Sequence, residues 1–455
     1  MKTKFQEYFA SLAGKEIAVF GLGVSNRPLV KLLLAAGCRV VGCDKTPREK
    51  LDAEVLALEE AGCRLQVGEN YLEGITAELV FRTPGMHPQN PALCKLRENG
   101  AKITSEMEVF FRVCPCNLIA VTGSDGKTTT TTLISEMLKA QGKTVWLGGN
   151  IGTPLLPLCE QMQKDDYAVV ELSSFQLMDM TRSPHIAVVT NLAPNHLDVH
   201  KDMDEYVEAK KNIYRFQNEN DILVVNADNA ITAPLKTAGK TRYFSHSGEV
   251  KNGTYLDGDM ICRDGKPLFH KKEIAIPGEH NVENYMAAIL AVEGLVEDET
   301  IRRVANTFGG VEHRIELVRE KDGVRYYNDS IASSPSRTMA GLQSFSQQVI
   351  LIAGGYDKQI PFAPMAPQVC KSVKTLILNG ATAEKIREAI ETCPDYRPGH
   401  PEIRMCEDFT AATYLAVELA SAGDVVLMSP ACAAFDQFKN FMERGNYFKK
   451  LIKEL

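Results

Sequence analysis

The sequence has no excess of basic residues, no long apolar run and no cysteine pair of the C-x-x-C type. Its 455 residues include 51 Lys and Arg against 58 Asp and Glu, a formal net charge of -7. This balance argues against a general nucleic-acid binder, which needs a basic surface, although an acidic protein can still bind anions at local sites. No apolar stretch approaches the length that crosses a bilayer. Neither a nucleic acid nor a membrane is therefore expected as a partner.

The 12 cysteines are scattered along the chain. Cys114 and Cys116 are close together but stand alone, so reduced thiols are expected rather than a disulfide framework or a metal site. The first ten residues, MKTKFQEYFA, contain no long apolar core, so no signal peptide is expected. These features together predict a protein of the cytoplasm.

The chain opens with a predicted strand, a glycine turn, a helix and a second strand. Gly21 and Gly23 form the turn and Asp44 follows the second strand, in the βαβ order of nucleotide-binding domains. The glycine fingerprint is incomplete, because Asn26 occupies the place of its third glycine. A dinucleotide site and a plain tight turn are both compatible with this pattern.

Apolar strands alternate with helical stretches along the rest of the chain, which predicts an α/β protein with mostly parallel sheets. We expect three α/β domains: a Rossmann-like domain at 1–115, a central domain at 116–311, and a second Rossmann-like domain at 312–455. The stretch 241–277 is more polar and richer in β-formers, so it is expected to form a small antiparallel flap on the central domain.

The central segment contains V-T-G-S-D-G-K-T-T-T, residues 121–130, between a predicted strand and a predicted helix. A phosphate-binding loop needs glycines that turn backbone N–H groups toward phosphate, a lysine for the outer phosphates, and a hydroxyl that holds magnesium. All three are present, although Val121 replaces the usual early glycine. A chance turn is the competing interpretation. The loop predicts that the central domain, 116–311, is a P-loop-type ATPase domain. The predicted ATP-binding residues of the loop are Gly123, Ser124, Asp125, Gly126, Lys127, Thr128 and Thr129.

The shortened loop T-G-x-x-G-K-T resembles the ATP loop of the Mur ligases, and the resemblance extends along the whole chain. The later segments that carry it include G-G-N-I-G, E-L-S-S-F-Q-L, H-N-V-E-N, E-H-R-I-E, Y-N-D-S, G-G-Y-D-K and S-P-A-C-A-A-F-D-Q-F-K-N-F-M-E-R-G. The last two are most similar to the D-glutamate-adding branch of the family. The resemblance implies an ATP-dependent ligase of peptidoglycan precursor synthesis, which adds D-glutamate to UDP-N-acetylmuramoyl-L-alanine through an acyl phosphate. A monomer is expected.

The resemblance also implies two magnesium ions beside the loop, with manganese as an alternative metal. Thr128 and Glu171 would bind the first ion, and Glu171 ends an apolar strand, where a carboxylate points into the crevice of a parallel sheet. His196 and Lys210 would bind the second ion, Lys210 after carbon dioxide has converted its amine to a carbamate. Without the resemblance, a helical lysine would be interpreted as part of a solvated face. The expected catalytic residues are thus Lys127, Glu171, His196 and Lys210.

Further nucleotide contacts follow from the same resemblance. Asn281 and Asn284 stand at i and i+3 of a predicted helix, which puts them on one face, although helix capping competes as the role of Asn281. Arg314 would reach a phosphate and Asp329 would hold the ribose.

The first and third domains would bind the other two substrates. The glycine turn would then hold a UDP-sugar rather than a nicotinamide dinucleotide. The expected UDP-sugar contacts are Val24, Ser25, Asp44, Gly85 and Asn150, the last on the muramoyl part. The expected amino-acid contacts are Lys358, Phe441 and Ser333, with Lys358 on the side-chain carboxylate.

Four positions depart from the commonest family pattern. Asn195 precedes His196 where aspartate is frequent, and Ser333 stands where threonine is usual. Ile331 replaces a lysine and Ala434 replaces a serine that touches substrate. The last three changes concern the D-glutamate pocket and leave the ATP machinery intact.

Three other functions are weighed against this one. A Mur ligase for another amino acid is the nearest, but the D-N-P-R and H-H-P segments of two sister ligases are absent. A nucleotide-binding regulator without catalysis would be expected to lack Lys127, Glu171 or His196, and all three are present. A nicotinamide-dependent oxidoreductase is disfavoured by the incomplete glycine fingerprint and the second nucleotide loop.

Overall fold

The computed structural model describes residues 2–194 and 200–455, within which the strands form three sheets. The chain divides into two compact units, residues 1–271 with 283–304, and residues 272–282 with 305–455. The first unit contains the first and the central sheet, and the second unit contains the last sheet. The predicted α/β class is confirmed, whereas the boundaries at 115/116 and 311/312 stay a prediction. Among the helices of the described residues, none combines the length and apolar character needed to span a membrane.

The first sheet consists of β1 (Glu16–Phe20), β2 (Arg39–Asp44), β3 (Arg64–Val67), β4 (Leu79–Phe81) and β5 (Lys102–Thr104). Its helices are α1 (Lys4–Ala10), α2 (Asn26–Ala35), α3 (Ala53–Glu60), α4 (Pro91–Glu98) and α5 (Glu106–Val113). The strand order is β3-β2-β1-β4-β5, parallel throughout. Because the strand order reverses beside β1, the loops after β1 and β4 border one crevice at the carboxyl edge.

The central sheet consists of β6 (Asn117–Thr122), β7 (Val145–Gly149), β8 (Tyr167–Glu171), β9 (Ile186–Val189), β10 (Ile222–Asn226), β11 (Lys240–Ser245), β12 (Gly253–Asp257), β13 (Met260–Arg263) and β14 (Lys266–His270). Its helices are α6 (Lys127–Ala140), α7 (Ser174–Leu177), α8 (Met203–Arg215), α9 (Glu279–Ala291) and α10 (Asp298–Thr307). The order is β14-β13-β12-β11-β10-β9-β6-β8-β7. The pairs from β7 to β12 are parallel, and β12, β13 and β14 pair antiparallel, which confirms the expected flap.

The last sheet consists of β15 (Glu316–Lys321), β16 (Val324–Asn328), β17 (Val349–Ala353), β18 (Val373–Leu378), β19 (Glu402–Met405) and β20 (Val425–Met428). Its helices are α11 (Pro335–Leu342), α12 (Ala366–Ser372), α13 (Ala383–Glu391), α14 (Phe409–Leu419) and α15 (Phe441–Glu454). The order is β15-β16-β20-β17-β18-β19, and only the β15–β16 pair in this part of the described chain is antiparallel.

The β15–β16 hairpin was not predicted from the sequence. Its turn is formed by Asp322 and Gly323, with φ of 52° and 76°. Two consecutive residues with positive φ match the type I′ turn that favours Asp-Gly between antiparallel strands. The Asp-Gly pair was therefore the available signal for this hairpin.

The interior strands are apolar on both faces because helices cover both sides of each parallel region. Every residue of β17 is buried, and so is every residue of β9 and β20. Polar residues occur at the carboxyl ends of such apolar strands; in β8, for example, the apolar run ends at Glu171. The polar and charged side chains that could bind ligands or catalyse a reaction thus lie at the carboxyl edges of the sheets.

Candidate functional site

The predicted ATP loop lies at the carboxyl edge of the central sheet, between β6 and α6. β6 is flanked by β8 and β9, so the loop adjoins Glu171 at the end of β8 and Thr190 after β9. Open α/β sheets bind their ligands at this edge. The predicted strand–loop–helix arrangement is present, which favours a phosphate-binding loop over a chance turn.

Two glycines let the loop pass close to its neighbours. Gly126 precedes α6 with φ 76°, and a Cβ there would lie 2.3 Å from Oδ1 of Asn284. Gly123 has φ 148°, and a Cβ there would lie 1.9 Å from Oγ1 of Thr190. Both positions combine a backbone conformation that favours glycine with no room for a side chain. The loop therefore presents its backbone, as a phosphate cradle requires.

The segment after β9 anchors the loop. The backbone N–H of Ser124 donates to the carbonyl of Asn191 (2.9 Å), and that of Asp125 donates to the side-chain oxygen of Asn191 (3.0 Å). The Ser124 hydroxyl donates to the carbonyl of Ala193 (2.9 Å) and lies 2.9 Å from the Tyr206 hydroxyl. The chain then continues into 195–199, so Asn195, the predicted metal ligand His196 and Asp198 lie outside the described residues.

Glu171 joins two other predicted residues. Its side chain is almost completely buried; Oε2 accepts a hydrogen bond from the Thr128 hydroxyl (2.7 Å) and Oε1 accepts one from the Asn150 amide (2.9 Å). The structure thus brings Asn150, expected on the muramoyl part of the substrate, to the ATP loop.

These groups fit magnesium bound together with a nucleotide. Within the described residues, no three His, Cys, Asp or Glu side chains are grouped to hold a metal ion by themselves. Magnesium commonly uses one or two carboxylates plus phosphate oxygens and water, and it prefers hard oxygen ligands. The Glu171 carboxylate and the Thr128 hydroxyl, 2.7 Å apart at the start of α6, supply such a partial set.

The two predicted catalytic lysines lie on the loop and beneath it. Lys127 Nζ donates to the carbonyl of Ser124 (2.8 Å). Lys210 Nζ donates to the carbonyl of Gly123 (2.9 Å) and to the hydroxyl of Thr122 (3.1 Å), and only 2% of Lys210 is exposed. Burial, with a smaller contribution from the charge of Lys127, lowers the pKa of Lys210 well below its ordinary value. The interpretation of Lys210 as a solvated surface lysine is therefore wrong.

The two asparagines of α9 occupy different environments. Oδ1 of Asn284 accepts a hydrogen bond from the Thr130 hydroxyl (3.2 Å), which places Asn284 against the beginning of α6. The Asn281 amide donates to the carbonyl of Pro277 (2.6 Å). Asn281 is the third residue of α9 rather than the residue before it, so it is not the N-cap.

At the first sheet, Asp44 ties the glycine turn to the loop after β2. Its carboxylate accepts from the backbone N–H of Leu22 (2.7 Å) and of Thr46 (2.9 Å). Although burial opposes it, these hydrogen bonds lower the pKa of Asp44 below its ordinary value. The carboxylate is thus held ionised at the crevice.

Asn26 explains the missing third glycine. It is buried, and its amide donates to the carbonyls of Gly21 (2.8 Å) and Phe20 (3.3 Å). Gly21 has φ 80°, and a Cβ there would lie 2.8 Å from Cβ of Thr83 in the loop after β4. The turn is therefore fixed by a side-chain amide and packed against the neighbouring loop.

The remaining predicted UDP-sugar residues border this crevice. Val24 is 74% exposed, and Ser25 precedes α2 without capping it through its side chain. Gly85 lies in the loop after β4, where a Cβ would meet no other atom within 4 Å. An exposed valine and open space at a switch point of the sheet suit a ligand surface.

Arg82 was missed by the sequence analysis. It directly follows β4, is completely buried, and its Nε donates to Asp179 (2.7 Å). Its guanidinium also donates to the carbonyls of Phe175 (3.0 Å) and Met86 (3.1 Å). Arg82 thereby fixes the loop that carries Gly85 to the segment after β8. A charged residue directly after an apolar strand was the available signal.

In the second unit, Asp329 follows β16 and is buried. Its carboxylate accepts from the Ser429 hydroxyl (2.7 Å) and the Ile315 N–H (3.3 Å), and burial raises its pKa to about 7. Arg314 lies between His313 and Ile315, which have φ of 63° and 45°. Left-handed backbone at two non-glycine residues is strained and is typical of functional segments.

The predicted amino-acid residues occupy the same carboxyl edge of the last sheet. Lys358 Nζ donates to the Ser333 hydroxyl (3.3 Å). The Phe441 ring contacts the His313 ring edge to face at 5.9 Å, and the Phe441 carbonyl accepts from the Ser330 hydroxyl (2.7 Å). Lysine and serine thus meet as expected, with the aromatic ring attached to the same loop.

Arg444 is a second residue that sequence analysis missed. It is 2% exposed, and burial lowers its pKa to about 10. Its guanidinium donates to the hydroxyl (3.0 Å) and carbonyl (2.9 Å) of Ser330 and to the carbonyls of Cys432 (3.1 Å) and Ala433 (3.2 Å). Arg444 therefore joins the N-D-S and S-P-A-C segments, and its position in M-E-R-G was the available signal.

Comparisons with known proteins agree with this geometry. The Mur ligase middle domain matches residues 121–292, and the domain described as "Mur ligase, glutamate ligase domain" matches residues 313–432. The UDP-N-acetylmuramoylalanine--D-glutamate ligase of Clostridium novyi is 49% identical over 458 residues, which cover 100% of both chains. The proteins of the same name from Acetivibrio thermocellus and Clostridium kluyveri are 49% and 48% identical, again over 100% of each chain.

Solved structures share the fold at lower identity. The UDP-N-acetylmuramate-alanine ligase of Thermotoga maritima has a TM-score of 0.59 and 19% identity, covering 97% of this chain and 99% of that one. A pseudomurein peptide ligase type C from Methanothermus fervidus has a TM-score of 0.51 and 19% identity, covering 97% and 100%. With full-length relatives at nearly half identity and a matching ATP loop, the chain belongs to the Mur ligase family.

Proposed function

We propose that this chain is an ATP-dependent ligase that adds D-glutamate to UDP-N-acetylmuramoyl-L-alanine and releases ADP and phosphate, in peptidoglycan precursor synthesis. The observation that carries the proposal is the meeting of Lys127, Thr128, Glu171 and Lys210 around one loop. It is supported by the names of relatives that are 48–49% identical over the full length.

Amide formation from a carboxylate is uphill in water, so the carboxylate must first be activated. In the proposed reaction, a carboxylate oxygen of the UDP-sugar substrate attacks the γ-phosphorus of ATP, and ADP leaves. The amine of D-glutamate then attacks the acyl carbon, loses a proton, and phosphate leaves. Such a reaction depends mainly on charge neutralisation and positioning.

Residues around the loop suit these tasks. Lys127 would neutralise the outer phosphates, and the backbone at Gly123 and Gly126 would surround them. Thr128 and Glu171 would hold magnesium, which when bound supplies positive charge to the phosphate oxygens. Asn150 donates to Glu171 and would orient its carboxylate.

We further propose that Lys210 acts as a carbamate and, with His196, holds a second metal ion, magnesium or manganese. Its amine is bonded to a hydroxyl and a carbonyl, and it forms no ion pair with a carboxylate of the described residues. A buried amine in this setting favours its neutral form, and only the neutral amine reacts with carbon dioxide.

The other substrates are assigned by position. The UDP part would bind at Val24, Ser25, Asp44 and Gly85, and Lys358, Ser333 and Phe441 would select the amino acid. Arg314, Asp329, Asn281 and Asn284 would contact the nucleotide. In this proposal residues 1–115, 116–311 and 312–455 are the UDP-sugar, ATP and amino-acid domains of a cytoplasmic monomer.

The deciding experiment is phosphate release from ATP by purified protein with UDP-N-acetylmuramoyl-L-alanine. D-glutamate, L-glutamate, L-alanine, glycine, L-lysine and diaminopimelate are added one at a time. Release that depends on D-glutamate alone supports the proposal. Release with a different amino acid keeps the ligase but refutes D-glutamate as substrate, and no release with any of them favours a nucleotide-binding regulator.

A matched pair of variants ties that activity to the loop. Lys127→Ala removes the amine from the loop and should abolish release. Lys139→Ala, near the other end of α6, removes an exposed lysine that pairs with Glu136 and should leave release unchanged.

A further inference from the structure

The candidate amino-acid site contains a second cation that the sequence analysis did not identify. Arg337 is exposed in the first turn of α11, and its Nη1 donates to the carbonyl of Ile331 (3.2 Å). Ile331 lies two residues before Ser333, whose hydroxyl accepts from Lys358. The guanidinium of Arg337 and the amine of Lys358 are thus attached to the same short segment, 331–333.

The helix that carries Arg337 is firmly positioned. The hydroxyl of Thr338 donates to the carbonyl of Ser429 (3.3 Å) at the end of β20. Gly341 lies one turn after Arg337 in α11, and a Cβ there would lie 2.9 Å from Oδ2 of Asp329. Thr338 and Gly341 thus pack α11 against the carboxyl edge of the last sheet, and exposed Arg337 lies beside this packed face.

The guanidinium of Arg337 forms no ion pair with any carboxylate in the part of the chain that the structure describes. Half-buried Arg387 and exposed Arg404, by contrast, each pair with a glutamate. Its charge is also among those that favour the ionised form of buried Asp329. A guanidinium held by a backbone carbonyl keeps other N–H groups that can bind a carboxylate in a fork.

D-glutamate carries two carboxylates, and a single lysine can match only one of them. We propose that Arg337 binds the second, the α-carboxylate, while Lys358 binds the side-chain carboxylate. Arg337 is then a specificity-determining residue for a dicarboxylic amino acid, and it supplies a positive charge to a segment where Ile331 supplies none. This inference rests on the proposed function, because it concerns the amino-acid substrate of that reaction.

The test measures KM for each substrate in phosphate-release assays with wild-type protein, Arg337→Gln, Arg337→Lys and the control Arg387→Gln. Arg387 is a half-buried arginine in α13 that pairs with Glu384, so its replacement controls for the loss of one arginine charge elsewhere in the last sheet's layer of helices. Arg337→Gln should raise the KM for D-glutamate about tenfold or more, with the KM for ATP and for the UDP-sugar unchanged within about twofold. Arg337→Lys should lie in between, because it keeps the charge and loses the fork.

Amides of the substrate identify the carboxylate concerned. Wild-type protein should discriminate against both the α-amide of D-glutamate and D-glutamine. Arg337→Gln should lose most of the discrimination against the α-amide and keep the discrimination against D-glutamine. Lys358→Gln should show the opposite: it should lose the discrimination against D-glutamine and keep that against the α-amide. Undiminished discrimination against the α-amide in Arg337→Gln would overturn the assignment.

Two further outcomes separate this inference from the function on which it rests. A raised KM for ATP in Arg337→Gln, with that for D-glutamate unchanged, would mean that the guanidinium binds the nucleotide, and would overturn the inference alone. Wild-type protein without D-glutamate-dependent release would overturn the proposed function, and this inference with it.

Discussion

The Thr128 hydroxyl and the Glu171 carboxylate lie 2.7 Å apart although 43 residues separate them in sequence. The contact joins the first turn of α6 to the end of β8. It places the two hard oxygen ligands expected for magnesium directly beside the ATP loop. The Asn150 amide donates to the other carboxylate oxygen, so each oxygen of Glu171 accepts one hydrogen bond: Oε2 from Thr128 and Oε1 from Asn150.

Glu171→Gln should lower kcat by on the order of 100-fold, because it keeps the shape of the side chain and removes the negative charge proposed to bind magnesium. The magnesium concentration for half-maximal phosphate release should rise as well. Thr128→Val should raise this concentration, while Thr128→Ser, which keeps the hydroxyl, serves as its control. An unchanged magnesium dependence in Glu171→Gln would contradict the assignment of the ligand.

Gly126→Ala should abolish ATP binding, because the new Cβ would lie 2.3 Å from Asn284 Oδ1 in a backbone conformation with φ 76°. Gly142→Ala is the matched control just beyond the other end of the same helix: it has φ 82° and no atom within 4 Å of a Cβ. The control should lose only about 1–2 kcal/mol of folding stability and keep nucleotide affinity. Calorimetric titration with a non-hydrolysable ATP analogue would compare the two, and equal affinities would refute the steric argument.

Activity should depend on bicarbonate through Lys210. Because burial lowers the pKa of this amine, its neutral form is available at lower pH than in an ordinary lysine, so carbamylation should proceed near neutral pH. Protein depleted of carbon dioxide should lose phosphate release and regain it with bicarbonate. ¹³C NMR with labelled bicarbonate should show a carbamate signal that is absent in Lys210→Arg. The same signal in that variant would point to another lysine.

Asp329 should make the second unit less stable as pH rises. Its pKa is about 7 in the folded protein and 3.8 in the unfolded reference, so between these values the folded state binds more protons. This contribution to the free energy of unfolding is fully present below the lower pKa and is lost as pH rises through the higher one. The total loss is on the order of 4 kcal/mol. The difference in free energy of unfolding between wild type and Asp329→Asn should shrink accordingly from about pH 4 to about pH 8. Circular dichroism during urea unfolding would measure it, and parallel pH profiles would speak against the shift.

Gly21→Ala should weaken binding of the UDP-sugar. The added Cβ would lie 2.8 Å from Cβ of Thr83, so the loops after β1 and β4 would be forced apart. Gly37→Ala is the control, because Gly37 has a similar φ of 77° and no atom within 4 Å of a Cβ. The KM for UDP-N-acetylmuramoyl-L-alanine should rise in Gly21→Ala alone, and a similar rise in both variants would show that backbone strain, not loop contact, is responsible.

The strands and the loop glycines could be predicted because local sequence dictates them. The apolar run N-L-I-A-V-T forms the strand expected before the ATP loop, β6, and the expected helix after the loop ends at Ala140, shortly before Gly142. Asp322-Gly323 also carried a local turn signal, and the hairpin around it could have been found. Arg82 and Arg444 could not be assigned roles, because partners that define those roles lie far away in sequence: Asp179 for Arg82 and Ser330 for Arg444.

The sequence by itself determined the α/β class, the order of the strands along the chain and the identity of the ATP loop. Periodicity, glycines and the order of motifs are local properties of the chain. Only the tertiary structure decided that Lys210 is buried beneath Gly123, that Asn150 bonds to Glu171, and that Arg337 adjoins Ile331. Whether a side chain is buried or hydrogen-bonded depends on which loops lie side by side at the carboxyl edge of a sheet. The spatial order of the strands decides this, and that order results from the packing of the whole unit.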